Sequence, residues 1–344
     1  MSRRFPHILR FSPALRIGAA MLATIVLLGA AVESRSVMAS DASGAIQTAQ
    51  RQFNAGNYAA AIKTLQSVPQ VSTNAEAQYW LGRSYYELHD YDNAIPAAEK
   101  AVELDAKNSV YHQWLGTIYG GRADRDRSFS YARKVKKEFQ EAVRLNPSNV
   151  EARRDLEQYD MEAPWVVGGS KDEAKEQVTA IEAIDPVEGH LARAAYDLDA
   201  KKPELAEKEY RDVLAAKPKK IEAYLDVMNF FVHQNKAADV EATMQAAVQV
   251  SPNDPRLSYY RGVSRVLSGT DLARGEEYLK SYLASSPDRS DWPSHAGARE
   301  WLGRLYEAEG KRAEAAEQYR AALQLDPGRK EAKSRLEKLE KSSR

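Results

Sequence analysis

The 344-residue sequence contains no cysteine and carries no net charge, because 49 Lys and Arg residues balance 49 Asp and Glu residues. Without cysteine the chain has neither disulfides nor thiol nucleophiles. A neutral chain is a poor candidate for a nucleic-acid-binding protein, since such proteins present a large basic surface. The hydrophobic share of 43% and charged share of 28% are nevertheless typical of a folded protein.

Catalytic and metal-binding motifs are missing as well. The six histidines are scattered along the chain, at His7, His89, His112, His190, His233 and His295. No two of them are four residues apart, as a helical metal site would require, and neither His-Glu-x-x-His nor Gly-x-Ser-x-Gly occurs. The sequence therefore predicts a protein that is not an enzyme and uses no metal or cofactor.

Long apolar runs are scarce, and the most prominent lies near the N-terminus. The uncharged run Ile17–Val32 has 16 residues, fewer than the roughly 20 that span a bilayer. Four arginines precede it, and Val37 and Ala39 are small residues before a possible cleavage site at Ser40. This order predicts a signal peptide at residues 1–39 and a periplasmic or secreted protein. Retention of the segment as a membrane anchor is the alternative interpretation.

Cleavage would remove five Arg and one Glu, which leaves 44 basic and 48 acidic residues and a net charge of −4. We expect no membrane span in residues 40–344. The oligomeric state is left open.

A repeated pattern of about 34 residues fills the rest of the sequence. Leu-Gly pairs recur and are followed by tyrosine at a constant offset, at Leu81-Gly82 with Tyr85, Leu115-Gly116 with Tyr119, and Leu302-Gly303 with Tyr306. Prolines recur at 34 and 35 residues, at Pro218, Pro252 and Pro287. A period of this length is typical of stacked structural repeats.

These marks resemble the tetratricopeptide-repeat (TPR) family, whose unit is a helix–turn–helix of about 34 residues. The resemblance implies an all-α fold, a right-handed superhelical solenoid of about eight repeats in residues 40–344. Residues 330–341 would form a capping helix. Small residues such as Gly82 and Ala94 are expected where the two helices of a pair touch, and Gly310 where the chain reverses.

Two adjacent repeats are longer than this unit, with extra residues near 120–132 and 163–169. Both additions fall between the first and second helix of their repeat, so we expect them to lie on one edge and to touch. The first lies in a stretch, Gly120–Lys137, that is rich in Arg and Lys, which fits either a solvated helix face or a docking surface for an acidic partner or anionic lipid headgroups. The second contains Trp165, Val166 and Val167, which either cover the insertion's own core or protrude as a contact for a partner.

The second addition ends in Gly168-Gly169 and Ser170. We expect the glycines to supply positive φ, and Ser170 with Glu173 to begin a helix as a capping box. The surroundings lack the strand and the Lys-Ser/Thr of a phosphate-binding loop.

Binding is the activity that the resemblance implies. Stacked first helices line a concave surface in TPR proteins, and the family's surface positions fall on Tyr79, Arg83, Tyr86, Gln113 and Arg304. Tyr79 and Tyr86 beside Arg83 would suit an extended peptide, because rigid aromatic side chains and arginine are good interface anchors. Ordinary exposed helix residues are the alternative. The sites predicted from sequence are these five residues together with Trp165.

The sequence thus predicts a non-catalytic scaffold or adaptor that binds protein or peptide partners in the cell envelope. A membrane-anchored structural subunit of an envelope complex is one alternative, and a small-ligand binder or enzyme is another.

Overall fold

A computed structural model describes residues 42–341, and the predicted signal peptide lies outside these residues. Within them the chain is all-α, with short 3-10 turns and no strand, which confirms the predicted fold class. The described residues divide into two compact units, an N unit of residues 42–177 and a C unit of residues 178–341. None of the described helices is both long enough and apolar enough to cross a membrane.

The N unit consists of antiparallel helix pairs. Residues 42–54 form α1. The following helices are α2 (Tyr58–Gln66), α3 (Ala75–Glu87), α4 (Tyr91–Leu104), α5 (Ser109–Asp126), α6 (Phe129–Leu145) and α7 (Val150–Glu162). A 3-10 turn, Trp165–Val167, follows α7, and the boundary between the units falls within α8 (Lys171–Ile184).

The C unit continues with the same kind of pairing. Its helices are α9 (Pro186–Asp199), α10 (Pro203–Ala215), α11 (Ile221–His233), α12 (Ala237–Val250), α13 (Arg256–Ser268), α14 (Leu272–Ser285), α15 (His295–Ala308), α16 (Arg312–Leu325) and α17 (Lys330–Lys341). Helix α17 packs on α16, where Ala332 is fully buried.

Small residues set the close approach of paired helices, as the Leu-Gly pattern predicts. A Cβ at Gly82 would lie 3.3 Å from the Ala94 carbonyl oxygen and 3.3 Å from the Ala98 Cβ. At Gly116 the added atom would lie 2.5 Å from the Phe139 ring. Gly310 ends α15 with a φ of 74°, which confirms its predicted role in reversing the chain.

The extra residues of the third repeat do not form a separate lobe. They lengthen α5 to 18 residues and α6 to 17, and the two helices meet at Arg127, which adopts a left-handed φ of 50°. The sequence from Gly120 to Lys137 continues the helices because it contains no proline and its apolar residues keep a helical spacing.

Candidate functional site

A four-residue sequence, Trp-Leu-Gly-Arg, occurs in α3 as Trp80–Arg83 and in α15 as Trp301–Arg304. Residues three positions apart lie on the same helix face, so each arginine reaches the tryptophan that precedes it. The guanidinium carbon lies 4.5 Å from the ring centroid of Trp80 in the first case and 3.8 Å from that of Trp301 in the second. The two sites differ in what else surrounds the arginine.

In the N unit, Arg83 is enclosed by rings from three successive first helices. Its guanidinium carbon lies 4.6 Å from the Phe53 ring on α1 and 4.1 Å from the Trp114 ring on α5. The Tyr79 ring, one turn earlier on α3, lies at 5.5 Å. We call Phe53, Tyr79, Trp80, Arg83 and Trp114 the aromatic–arginine cluster.

The charge of Arg83 is held without a carboxylate. The residue is only 6% exposed, and no Asp or Glu within residues 42–341 forms an ion pair with it. Its Nη1 donates to the Tyr79 hydroxyl at 3.1 Å, whereas its Nε and the Trp114 Nε1 have no hydrogen-bond acceptor among the described residues. Contact with ring faces stabilises the cation. The Arg83 Nε and Trp114 Nε1 donors nevertheless stay buried without acceptors, which is unfavourable.

Two further tyrosines extend the cluster. Tyr111 stacks on Tyr79 with ring centroids 5.0 Å apart, and Tyr86 meets Trp114 edge-on at 6.1 Å. Both are partly exposed. Burial raises the pKa of Tyr79, Tyr86 and Tyr111, so all three hydroxyls stay neutral and able to donate.

A buried polar network lies on the same helices. Gln113 donates to the Asp155 carboxylate at 2.8 Å and accepts from the Asn149 amide at 3.2 Å. Asn149 also donates to Ser109, and thereby ties the start of α7 to α5. Burial raises the pKa of Asp155 to about 6, although the hydrogen bond from Gln113 partly offsets this.

Of the residues that the sequence singled out, Tyr79, Arg83 and Tyr86 are brought together around Trp114. Their expected exposure is wrong for two of them, since Tyr79 is 9% and Arg83 is 6% exposed. Gln113, at 4%, is also buried and holds α7 to α5. These side chains are covered because successive first helices pack tightly, as the contacts among α1, α3 and α5 show.

Sequence reasoning missed Phe53, Trp80 and Trp114, which supply three of the rings around Arg83. Two of them carry a signal, because tryptophan directly precedes the Leu-Gly pair in three repeats, at Trp80, Trp114 and Trp301. Phe53 carries none, since its repeat lacks the Leu-Gly mark.

Arg304 belongs to the C unit and has a different setting. Its neighbour Glu300 pairs with Arg329 at 2.7 Å, while Arg304 itself forms no ion pair within the described residues. Burial and the nearby Arg335 lower the pKa of Arg304. A single ring, Trp301, stacks on it, so this arginine lacks the enclosure of Arg83.

The apolar residues of the 3-10 turn Trp165–Val167 differ in exposure, so one covers the core of the turn and two protrude. Val167 is buried at 4% exposure, whereas Trp165 is 86% and Val166 43% exposed. The Tyr159 hydroxyl lies 2.9 Å from the Val167 carbonyl oxygen and 2.7 Å from the Ala132 carbonyl oxygen of α6. The two extended regions therefore touch, as predicted.

The turn is held firmly at its other end. Lys136 of α6 donates to the Gly168 carbonyl and pairs with Asp160 at 2.7 Å and Glu173 at 2.9 Å. Burial alone would lower the pKa of Lys136, but these two carboxylates more than offset it and raise the pKa. Gly168 adopts the predicted positive φ, at 103°, and the Glu173 amide donates to the Ser170 Oγ at 3.3 Å.

One group of potential metal ligands occurs in the C unit. Atoms of His190, Glu209 and Asp212 lie within 4.8 Å of one another. Both carboxylates already have partners, because His190 Nδ1 lies 2.6 Å from Glu209 and Lys208 lies 3.0 Å from Asp212.

Comparison with known proteins agrees with the repeat geometry. The model of the tetratricopeptide-repeat family matches residues 46–109 and 266–330. These segments contain both Trp-Leu-Gly-Arg sequences. These matches support membership of the TPR superfamily. A search of curated proteins found no match.

Several solved structures are similar to this chain at low sequence identity. A TPR protein from Parabacteroides merdae is 16% identical, with 77% of this chain and 98% of that chain covered and a TM-score of 0.47. A thermophilic TPR protein from Thermus thermophilus is 18% identical over 56% of this chain and 99% of that chain, with a TM-score of 0.45. A monomeric mutant of IFIT1 with Gppp-AAAA is 15% identical over 86% and 70%, with a TM-score of 0.52.

Proposed function

We propose that this protein is a non-catalytic scaffold of the cell envelope that binds an extended, acidic segment of a partner protein through the N unit. TPR proteins are generally protein-interaction scaffolds, and the observation that supports this particular site is the unpaired Arg83 within four aromatic rings. A buried cation without an anion is costly, and a ligand carboxylate would offset that cost. The flanking tyrosines would provide rigid apolar contacts.

The proposed ligand chemistry follows from the unsatisfied donors. Arg83 Nε and Trp114 Nε1 both lack acceptors within the described residues, and a carboxylate accepts from several donors at once. Tyr86 and Tyr111 are partly exposed and lie beside these buried groups. Reorientation of these two side chains would open the cluster to a side-chain or terminal carboxylate of the partner.

Nucleic acid is not the ligand that we propose. The solved IFIT1 structure contains Gppp-AAAA, but a likeness at 15% identity concerns the fold alone. Binding of a phosphate backbone needs a surplus of positive charge, and this chain has equal numbers of basic and acidic residues.

The proposed compartment depends on residues 1–39. Their order of arginines, a short apolar run and small residues supports export by a cleaved signal peptide. N-terminal sequencing of the protein recovered from cells tests this step. A start near Ser40 agrees with the proposal, and a membrane-bound chain that starts at Met1 or Ser2 favours the anchored structural subunit.

Site-specific photocrosslinking tests the binding role. A photoreactive phenylalanine analogue would replace Tyr86 in the full chain, with a matched replacement of exposed Leu325 on α16 as the control. We expect discrete protein adducts at position 86 alone, and we expect Arg83→Met to abolish them. The same adducts at both positions, or adducts that survive Arg83→Met, would contradict the proposed site.

A further inference from the structure

The 3-10 turn Trp165–Val167 of the N unit exposes apolar side chains that are not part of the proposed peptide site. Trp165 is 86% exposed although the residues around it are fixed by hydrogen bonds from Tyr159 and Lys136. A Cβ on Gly169 would lie 1.9 Å from the Ala163 carbonyl oxygen, so the backbone is folded tightly beneath the ring. The fold therefore presents a tryptophan to the surroundings on a rigid support.

The supporting helix adds a second exposed ring and several cations. Lys136, which holds the turn, shares a helix face with Phe129 and Arg133, because positions 129, 133 and 136 follow a helical spacing. Phe129 is 59% exposed and Arg133 is also exposed. The apolar turn and the ring at the start of α6 thus flank the same cationic face.

The helix that supports this turn carries more basic than acidic residues, although the whole chain is neutral. Helix α6 contains five Lys and Arg residues against two Glu, and Arg127 lies two residues before its start. Arg127, Arg133 and Lys137 are exposed and form no ion pair within residues 42–341. The segment from Ala163 to Ser170 contains no charged residue.

We propose that Trp165, Val166 and Phe129 insert into the interface of an anionic phospholipid bilayer while Arg127, Arg133 and Lys137 bind its headgroups. We call these six residues the membrane tip. Tryptophan favours the membrane–water interface, and each cation near an anionic surface adds to the attraction. The separation of an uncharged tip from flanking cations matches a bilayer, whose apolar region lies below a layer of phosphates.

This docking is independent of the peptide site, because Arg83 is not part of the membrane tip. It would keep the scaffold at a membrane surface without a spanning helix. Export to an envelope compartment would bring the tip to such a surface. Binding to vesicles can be measured with the purified protein whether or not it is exported.

Tryptophan quenching by brominated lipid measures the insertion directly. The full chain would be mixed with vesicles of phosphatidylcholine alone, or of phosphatidylcholine and phosphatidylglycerol in equal parts, with brominated acyl chains in each. We expect strong quenching of Trp165 in the anionic vesicles, weak quenching in the neutral ones, and loss of the quenched component in Trp165→Ser. All variants keep residues 1–41, so any contribution of that segment to binding is common to all.

Charge variants provide the second arm. Replacing Arg127, Arg133 and Lys137 with Gln should raise the lipid concentration at half-maximal quenching about fivefold per residue. The matched control replaces Lys201, Lys217 and Lys219, three exposed C-unit lysines without ion pairs among the described residues, and should change nothing. Arg83→Met should also leave the quenching unchanged.

Three results would overturn the proposal. The first is an absence of quenching of Trp165 in anionic vesicles. The second is an equal loss of quenching in both charge variants. The third is that both Trp165→Ser and Val166→Ser still bind anionic vesicles but no longer bind an acidic protein that the unchanged chain binds. That result would make the tip a contact for a protein. Circular dichroism and melting temperature would verify that each variant is folded.

Discussion

The guanidinium carbon of Arg83, on α3, lies 4.1 Å from the ring centroid of Trp114, on α5. The contact joins the first helices of two adjacent repeats, and it places a buried cation between ring faces instead of opposite a carboxylate. Arg304 has the same local sequence but one stacked ring, Trp301. The pair of arginines therefore provides an internal control for every experiment on the proposed site.

The first prediction separates stability from binding at Arg83. Arg83→Met should change the free energy of unfolding by no more than about 1 kcal/mol, because a buried ion can be replaced by an apolar side chain of similar size at little cost. The same variant should lose partner adducts at position 86. Chemical denaturation measures the stability change. A loss of several kcal/mol would show that the arginine serves mainly to hold α3 against α5.

The second prediction concerns the hydroxyl that supports the membrane tip. Tyr159→Phe removes the hydroxyl whose single proton the Ala132 and Val167 carbonyl oxygens share, which should lower the unfolding free energy by about 1–2 kcal/mol. Tyr131→Phe is the matched control, since the Tyr131 hydroxyl has no hydrogen bond within the described residues. Urea denaturation compares the two variants, and equal stability of both would contradict the role of Tyr159.

The third prediction uses two glycines of the N unit. Gly169→Ala should lower the unfolding free energy by more than about 2 kcal/mol, because the new Cβ cannot be accommodated 1.9 Å from the Ala163 carbonyl oxygen. Gly120→Ala, in the interior of α5, should raise it by up to about 1 kcal/mol, since the nearest atom is 3.9 Å away and alanine favours helix. Melting temperatures that shift in the same direction would contradict this assignment.

The fourth prediction follows from the buried carboxyl of Asp155. Its pKa is raised to about 6 in the folded protein and is about 3.8 in the unfolded chain, so the folded state binds the proton more tightly. Its contribution to stability is therefore fully present below pH 3.8 and is lost as the pH rises through 6.

Asp155→Asn should remove this dependence while keeping an acceptor for Gln113. The stability advantage of the variant should grow between pH 4 and pH 6 to at most about 3 kcal/mol and stay constant at higher pH. Melting temperatures over this range measure it, with exposed Asp172→Asn as the control. An advantage that shrinks as the pH rises would show that Asp155 is stabilised as the anion.

Much of the fold could be predicted because the TPR pattern is local. The Leu-Gly pairs predict where paired helices approach, and Gly82 and Gly116 occupy such positions. Gly168 could be placed for the same reason, since two glycines followed by a capping serine indicate a turn before a helix from adjacent residues alone.

The aromatic–arginine cluster could not be predicted in this way. Its rings come from Phe53, Trp80 and Trp114, which belong to three different repeats, and their distances to Arg83 depend on how first helices pack across repeats. The ion pairs of Lys136 with Asp160 and Glu173 are equally non-local. The family's surface positions therefore predicted where Tyr79, Arg83 and Gln113 lie on the first helices. They did not predict that packing between repeats buries these side chains.

Binding of matched peptide pools tests the central claim most directly. One pool would carry a fixed central Glu among degenerate Ala, Leu and Tyr positions, the other a central Gln, and the readout would be the tryptophan emission of the full chain. We predict that the Glu pool binds at least about tenfold more tightly, as expected for a charge-assisted hydrogen bond to a buried arginine. The preference should disappear in Arg83→Met and persist in Arg304→Met. Equal binding of the two pools, or a preference that survives Arg83→Met, would contradict the account.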